Sequence, residues 1–336
     1  MSDVTPTISP QPQSAVVCTP TLDDLPDPPP DKAGWPWTEQ SDPLPETQPD
    51  GTPWPKISIV TPSYNQGEFI EETIRSVLLQ GYPNLEYVVI DGGSTDETLK
   101  VIGKYSPWIK FWESESDCGQ SHAINKGFKN CSGEWGNWVN SDDFLYKNAL
   151  HQFPIKSLSK NTLYVGDCIL VDRQSEPLRR HSGSVKTLED LVRVPDVWRS
   201  GGSIPQISAL FSIEMYWDMG GLNVLNHYAM DYELWANMML SGTNIKYVES
   251  EVGYFRVYEE QKVSNVVRTT NAIVECAKKI LRDSKCIKKS KKKEIKKRLE
   301  KYQKKKRVGG GGRLFEWGLP GALIKLLREI RSSMPH

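Results

Sequence analysis

The sequence predicts an α/β fold: a mostly parallel sheet flanked by helices, followed by a helical basic tail. Three observations predict it. Between Lys56 and Val139, four apolar runs of strand length alternate with three stretches of helical spacing, an order that calls for parallel strands joined by right-handed crossovers. The strand-like runs lead into clusters of small polar residues, and open sheets of this kind bind ligands beyond the carboxyl ends of their strands. A block crowded with Lys and Arg near the C-terminal end has helical propensity.

The elements follow in order. Residues 1–55 are rich in Pro, Asp, Thr and Gln and bury too little to fold alone. Trp35, Trp37 and Trp54 are unusual in such a segment, so it is expected to lie on the domain as an extended anchor. Lys56–Thr61 reads as a buried strand, broken by the turn formers Pro62–Gly67. From Glu68, Phe69, Ile70, Ile74, Val77 and Leu78 fall at helical spacing, and Gly81-Tyr82-Pro83 stops that helix. Leu85–Ile90 is the second strand; Ser94 and Glu97 have the spacing of a capping box for a helix Glu97–Lys104. Ile109–Trp112 is the third strand, Cys118–Lys129 a helix, and Trp135–Val139 the fourth strand. Leu163–Val171 is another strand, and Asp172–Pro205, with Arg173, Arg179, Arg180, Arg193 and Arg199, reads as an irregular insertion. Ile207–Phe211, Ile245–Val248 and Val252–Val257 are short strands and Met230–Leu240 a helix. Thr269–Arg282 and Lys292–Lys306 are helical in propensity, Gly309–Gly312 is a hinge, and Leu319–Ser333 is an amphipathic helix.

Charge balances overall, with 42 Lys and Arg against 42 Asp and Glu, but Lys278–Arg307 holds 17 basic residues against three acids. An acidic body with one basic arm places a partner on the arm, not in a basic catalytic domain. The six cysteines show neither Cys-x-x-Cys pairs nor zinc-like spacing, so free thiols in a reducing compartment are expected. Met1–Pro12 is polar and unlike a signal peptide, and no run approaches the roughly 20 apolar residues of a membrane span. A cytoplasmic protein is expected, with any membrane contact peripheral.

Four polar clusters fall at expected strand ends: Thr61–Asn65, Asp91–Asp96, Ser116–Gln120 and Asn140–Asp143. Together they describe a crevice at one sheet edge. The last cluster is the most telling, because adjacent carboxylates at a strand end are costly unless something positive meets them. A hard divalent cation shared with phosphates would do so; a helix N-cap before Phe144–Leu150 is the plainer alternative.

Thr61-Pro62-Ser63-Tyr64-Asn65-Gln66, Val89-Ile90-Asp91-Gly92-Gly93-Ser94-Thr95-Asp96, Gly119-Gln120-Ser121 with Ala123-Ile124-Asn125-Lys126-Gly127, and Asn140-Ser141-Asp142-Asp143 together resemble family 2 glycosyltransferases, in order and spacing, from about Lys56 to Val257. The resemblance implies a GT-A-like, Rossmann-type fold, a nucleotide-sugar donor, a divalent cation (Mn or Mg) and inversion at the anomeric carbon. It divides the chain into an N-terminal segment 1–55, a glycosyltransferase domain 56–260 (nucleotide-binding half 56–143, acceptor half 144–260) and a basic tail 261–336. It implies that Pro62, Tyr64 and Asp91 hold the base and ribose of a donor, UDP-linked by expectation. Many members carry a second Asp where this chain has Gly92, which leaves the base contact open. Gln120 and Asn125 are amides able to grip hydroxyls. Asp143 is expected to touch the metal directly, and Asp142 the metal or the sugar. Met230-Asp231-Tyr232-Glu233 resembles the acceptor-side helix start, which makes Asp231 the base for the acceptor hydroxyl. Simple capping stands beside the roles of Asp91 and Asp231, and a solvated face beside that of Lys126.

The acceptor class implied is a glycan, a lipid-linked glycan or another hydroxyl compound. For the basic arm, contact with the acidic inner face of a membrane is preferred to nucleic acid, for which no reader fold or stacking platform is present. The rival from another class is a non-catalytic sugar-nucleotide-binding or scaffold protein. A nucleotidyltransferase is disfavoured because Pro62–Gly67 lacks Lys and Arg, and a dinucleotide oxidoreductase because no Gly-x-Gly-x-x-Gly follows the first strand.

Overall fold

A computed structural model describes residues 19–197, 202–261 and 266–308. The hinge at Gly309–Gly312, the amphipathic stretch Leu319–Ser333, Cys18 and Arg199 lie outside the described residues.

Four strands, β1 (Ile57–Ser63), β2 (Leu85–Asp91), β3 (Phe111–Ser114) and β4 (Trp135–Trp138), are mutually parallel in the order β3-β2-β1-β4. Successive side chains on a strand face opposite ways, and here both faces are covered. Val60, Val88, Ile90 and Trp138 enter one core, and Ile59, Tyr87, Val89 and Val139 the other. Helices α1 (Ile70–Leu78) and α2 (Thr98–Tyr105) cover the second face through Ile70, Ile74, Val77 and Ile102. Helix α3 (Gln120–Lys129) covers the first with Ala123, Ile124 and Phe128. It lies so close to β1 that a Cβ on Gly127 would stand 2.3 Å from Val60 Cγ1, which explains a glycine inside a helix.

The sheet continues past β4 through antiparallel β8 (Ala209–Ser212) to β6 (Thr162–Val171), β9 (Asn244–Arg256) and the two-residue β5 (Phe144–Leu145). Several sequence expectations are corrected in this half. Strand β9 is one 13-residue strand where two short ones were expected. Its polar middle, Glu249–Glu251, reads as a break but falls where the pairing with β6 shifts register. The segment Asp172–Pro205 is not wholly irregular: β7 (Pro177–His181) pairs with β6, and α4 (Leu188–Val192) and α5 (Val194–Val197) follow. Helix α6 (Ile213–Asp218) had no counterpart in the sequence pattern. The expected capping box at Ser94 and Glu97 does not form. Ser94 Oγ is engaged by Asp91, and Asp96 Oδ1 instead accepts from Thr98 N at 3.0 Å.

Helix α7 (Met230–Leu240) docks on the sheet through Trp235, which stacks on Trp138 with ring centroids 6.0 Å apart and planes 15° from parallel. Helices α8 (Val266–Asp283) and α9 (Lys289–Val308) pack beyond it through Ile273, Val274, Ile280, Ile295 and Leu299. In the N-terminal segment Trp37 and Trp54 are buried, and Trp35 Nε1 donates to Leu145 O at 2.8 Å. Arg75 of α1 is buried and donates to the carbonyls of Pro26, Pro36 and Trp37, which ties that segment to the domain. Each of Cys118, Cys131, Cys168, Cys276 and Cys286 is a free thiol. Among the described residues no helix is long and apolar enough to cross a membrane.

Candidate active site

Register builds the site. Ser63 pairs with Asp91 and Asp91 with Ser114, while Val60 pairs with Trp138. The carboxyl ends of β1, β2 and β3 therefore finish level, while β4 ends beside Val60, and the loops that leave the four strands share one edge. A crevice of about 820 Å³ opens there. Its walls include Pro62, Tyr64, Gly92, Asp117, Gln120 and Asn140–Asp142 from these loops, with His227, Tyr228, Tyr258, Gln261 and Arg268 facing them from the second half.

The two adjacent carboxylates separate. Asn140–Asp143 is a turn closed by Asp143 N donating to Asn140 O at 3.0 Å. Asp142 stands at its corner on the crevice wall, where its Oδ2 accepts from Tyr258 OH (2.9 Å) and Gln261 Nε2 (3.2 Å). Asp143 begins the run into β5 and is 1% exposed. Its Oδ1 accepts from Arg256 N (2.9 Å) and its Oδ2 from Asn140 Nδ2 (3.1 Å). Burial, and then the charge of Asp142, push the Asp143 carboxyl well above the usual carboxylate range. Asp143 is expected to touch the metal directly; here the Asp142 carboxylate stands on the crevice wall and the Asp143 carboxylate is buried behind it.

Arg256 fixes this turn from behind. It is 1% exposed; Nε donates to Asp142 O at 2.8 Å, and a terminal nitrogen to Glu72 Oε2 at 2.6 Å. Its guanidinium also lies 4.8 Å from the Phe69 ring centroid.

Other sequence-predicted residues divide similarly. Pro62, Tyr64 and Gln120 line the crevice, and Tyr64 is 63% exposed. Gln120 Nε2 donates to Asn140 Oδ1 at 2.7 Å, continuing a chain to Asp143. Asp91 is fully buried. Its carboxylate accepts from Gly93 N (3.0 Å), Ser94 N (2.8 Å), Ser94 Oγ (2.5 Å) and Ser114 Oγ (2.7 Å). It shapes the loop and is not among the residues of the crevice wall, where a base or ribose contact is expected of it. Asn125 is off the wall as well: it joins Tyr216 OH, Leu222 N and Leu222 O, and holds the turn after α6. Lys126 pairs with Glu113 and Glu115. Asp231 lies in the first turn of α7, where Oδ1 accepts from Tyr232 N at 2.7 Å; the N-cap is Ala229. Asp231 is not on the crevice wall, although His227 and Tyr228 just before it are.

Sequence reasoning missed Tyr258, Gln261 and Arg268. They follow β9, and only the return of that strand beside β5 brings them over the crevice. Asp117 lay inside a recognised cluster but was given no role.

Among the described residues no group of three or more His, Cys, Asp or Glu is placed to hold a metal. The wall does offer hard oxygen donors at Asn140, Ser141 and Asp142. One or two carboxylates suffice for Mg or Mn when substrate phosphates complete the shell, so these residues fit a cation that arrives with a diphosphate.

Comparison with known proteins agrees. Residues 58–204 match the model of glycosyl transferase family 2. An uncharacterized glycosyltransferase of Rickettsia conorii is 32% identical over 220 residues, covering 62% of this chain and 36% of the relative. The chain thus spans little more than a third of that relative's length. Among solved structures, Staphylococcus aureus TarS in complex with UDP-GlcNAc superposes with a TM-score of 0.54 at 18% identity, covering 73% of this chain and 71% of that one. The mannosyltransferase PcManGT of Pyrobaculum calidifontis, in complex with GDP-Man and Mn2+, gives 0.53 at 20% identity, covering 89% and 80%. At such identity the two structures establish the fold.

Proposed function

We propose that this chain is a glycosyltransferase of family 2, whose model matches residues 58–204, and that on its GT-A fold it transfers a sugar, with inversion, from a UDP-linked donor to a hydroxyl of a glycan or lipid-linked acceptor. The observation that carries this reading is the opening of the loops after four parallel strands on one crevice, with the Asp142 carboxylate on its wall.

The roles follow from position. The exposed Tyr64 ring offers a face for a base beside Pro62. Asp142 would hold the cation, with Asn140 and Ser141 near it, while Asp143 and Arg256 keep the turn in shape. A bound Mn or Mg ion offsets the negative charge that the diphosphate gains as it leaves. Arg268, on the opposite wall, adds a cation for the same phosphates. Gln120 and Gln261 offer amides to sugar or ribose hydroxyls. Asp231, off the wall itself but in the first turn of α7 just past His227 and Tyr228 of the wall, takes the proton of the attacking hydroxyl. The exposed lysines of α9, among them Lys293, Lys296 and Lys297, lie opposite its buried Ile295 and Leu299 and supply a surface for acidic lipid at the inner face of a membrane.

Calorimetric titration of UDP with and without Mn2+ into wild type, Asp142→Asn and Asp143→Asn tests the donor site. Cation-dependent binding lost in Asp142→Asn is expected. Binding that ignores both the cation and Asp142 would refute the metal assignment. Asp231→Asn is expected to keep UDP binding and lose transfer; retained transfer would remove Asp231 as the base.

A further inference from the structure

The family's frequent second acid is missing at Gly92, and the fold puts another carboxylate beside that position. A Cβ on Gly92 would stand 3.2 Å from Asp117 Oδ2 and 3.4 Å from Tyr64 Cδ2. A side chain at 92 would therefore intrude between the Tyr64 ring and the Asp117 carboxylate. The two loops touch here: Gly93 has φ +84°, and a Cβ on it would lie 3.3 Å from Ser116 N. Only a loop without side chains lets residues 116–117 approach so closely.

Asp117 is also held in place. Its Oδ1 accepts from Gly119 N at 2.6 Å, at the turn into α3, while Oδ2 faces Gly92. Asp91, the residue expected to read the base, has both oxygens committed to Gly93, Ser94 and Ser114 inside the protein. The carboxylate that meets Gly92 beside Tyr64 is thus that of Asp117, and it comes from the loop after β3, not the loop after β2.

We propose that Asp117 determines base specificity: with Tyr64 against the ring, its carboxylate accepts the ring N–H of the donor's base, the imide of uracil or the amide edge of guanine. This rests on the donor-site reading above. Cytosine and adenine present an unprotonated ring nitrogen at the matching edge, and a carboxylate facing it leaves both acceptors without a proton. Discrimination against them follows from that mismatch.

The experiment is calorimetric titration of UDP, GDP, CDP and ADP, with Mn2+, into wild type, Asp117→Asn, Asp117→Ala and the double variant Gly92→Asp/Asp117→Ala. Wild type is expected to bind UDP or GDP at least tenfold tighter than CDP, the scale of a hydrogen bond to a charged group. Asp117→Asn should collapse that ratio to within about threefold by weakening the preferred nucleotide, while ADP and CDP hold or improve. The double variant, which puts a carboxylate back from the other loop, should recover part of the preference. Circular dichroism of each variant reports folding. A folded Asp117→Asn protein with the wild-type preference would overturn the proposal and leave the donor site standing. If wild type binds no nucleoside diphosphate, both readings fall.

Discussion

Arg256→Met is expected to be among the most destabilising single changes in this chain, and its cost can be worked from its contacts. The guanidinium is 1% exposed and the Glu72 side chain 8% exposed, with 2.6 Å between them. It also donates to the carbonyl oxygens of Asp142 and Arg173 and to Ser175 Oγ. Methionine replaces the guanidinium over Phe69 and Phe144 with an apolar side chain and leaves Glu72 buried with Ser175 as its remaining partner. Breaking a buried pair from one side costs about 3–5 kcal/mol, because an uncompensated charge stays behind. Adding Glu72→Gln removes that charge, so the double variant should regain about 1–3 kcal/mol. Urea denaturation of the four proteins of this cycle measures both quantities. UDP titration should show the metal-dependent affinity falling with Arg256→Met, since the Asp142 carbonyl loses its donor. A cost below about 1 kcal/mol, or a double variant no more stable than Arg256→Met, would refute the view that this pair braces the turn.

Two further predictions separate shape from chemistry. Asn125→Ala deletes the bonds that close the turn at Leu222 and should cost about 2–3 kcal/mol in denaturation, while UDP affinity stays within about twofold because the amide stands off the crevice wall; a tenfold loss of affinity at unchanged stability would return Asn125 to the donor site. Burial, and then the charge of Arg179, bring the His181 imidazole down to about 4 from 6.5, and Ser203 Oγ lies 3.0 Å from its Nε2. The unfolded chain takes up a proton near pH 6.5 that the native state refuses until about pH 4, so the contribution is full above 6.5 and drains away as pH falls to 4. His181→Gln should flatten the stability-versus-pH curve across that window by up to about 3 kcal/mol relative to wild type; identical slopes would refute the assignment.

The nucleotide-binding half was legible because its rules are local. Strand-length apolar runs, the glycines at the β2 exit and the helical spacing of Ile70, Ile74 and Val77 each depend on near neighbours. Boundaries moved by one or two residues, as at β3, where polar Glu113 and Ser114 still pair with Ile90 and Asp91. The second half was less legible because its order comes from distant pairing. Nothing near Glu249–Glu251 says that β9 continues across them, and nothing near Arg256 says that it will meet Glu72, 184 residues away. The same limit hid Tyr258, Gln261 and Arg268 from the site.

The carboxylates carry a sharper lesson. Residue type and motif position place Asp91, Asp142 and Asp143 all in contact with donor or metal, yet of the three Asp142 alone is on the crevice wall. What separates them is where their donors lie, inside the loops or on the crevice wall. Asp91 is ringed by the backbone of its own loop and two serines, and Asp143 lies against the backbone of Arg256. A carboxylate so satisfied has little left to offer a ligand. Asp142, at the turn corner, is met by a tyrosine hydroxyl and a glutamine amide, both side chains on the crevice wall. Asp117 belongs to the same class, with one oxygen pinned and the other directed at Gly92. The placement of those donors therefore sorts the acids into those held inside the loops and those that stand on the crevice wall, and it predicts loss of stability for Asp91→Asn, loss of base preference for Asp117→Asn and loss of cation-dependent nucleotide binding for Asp142→Asn.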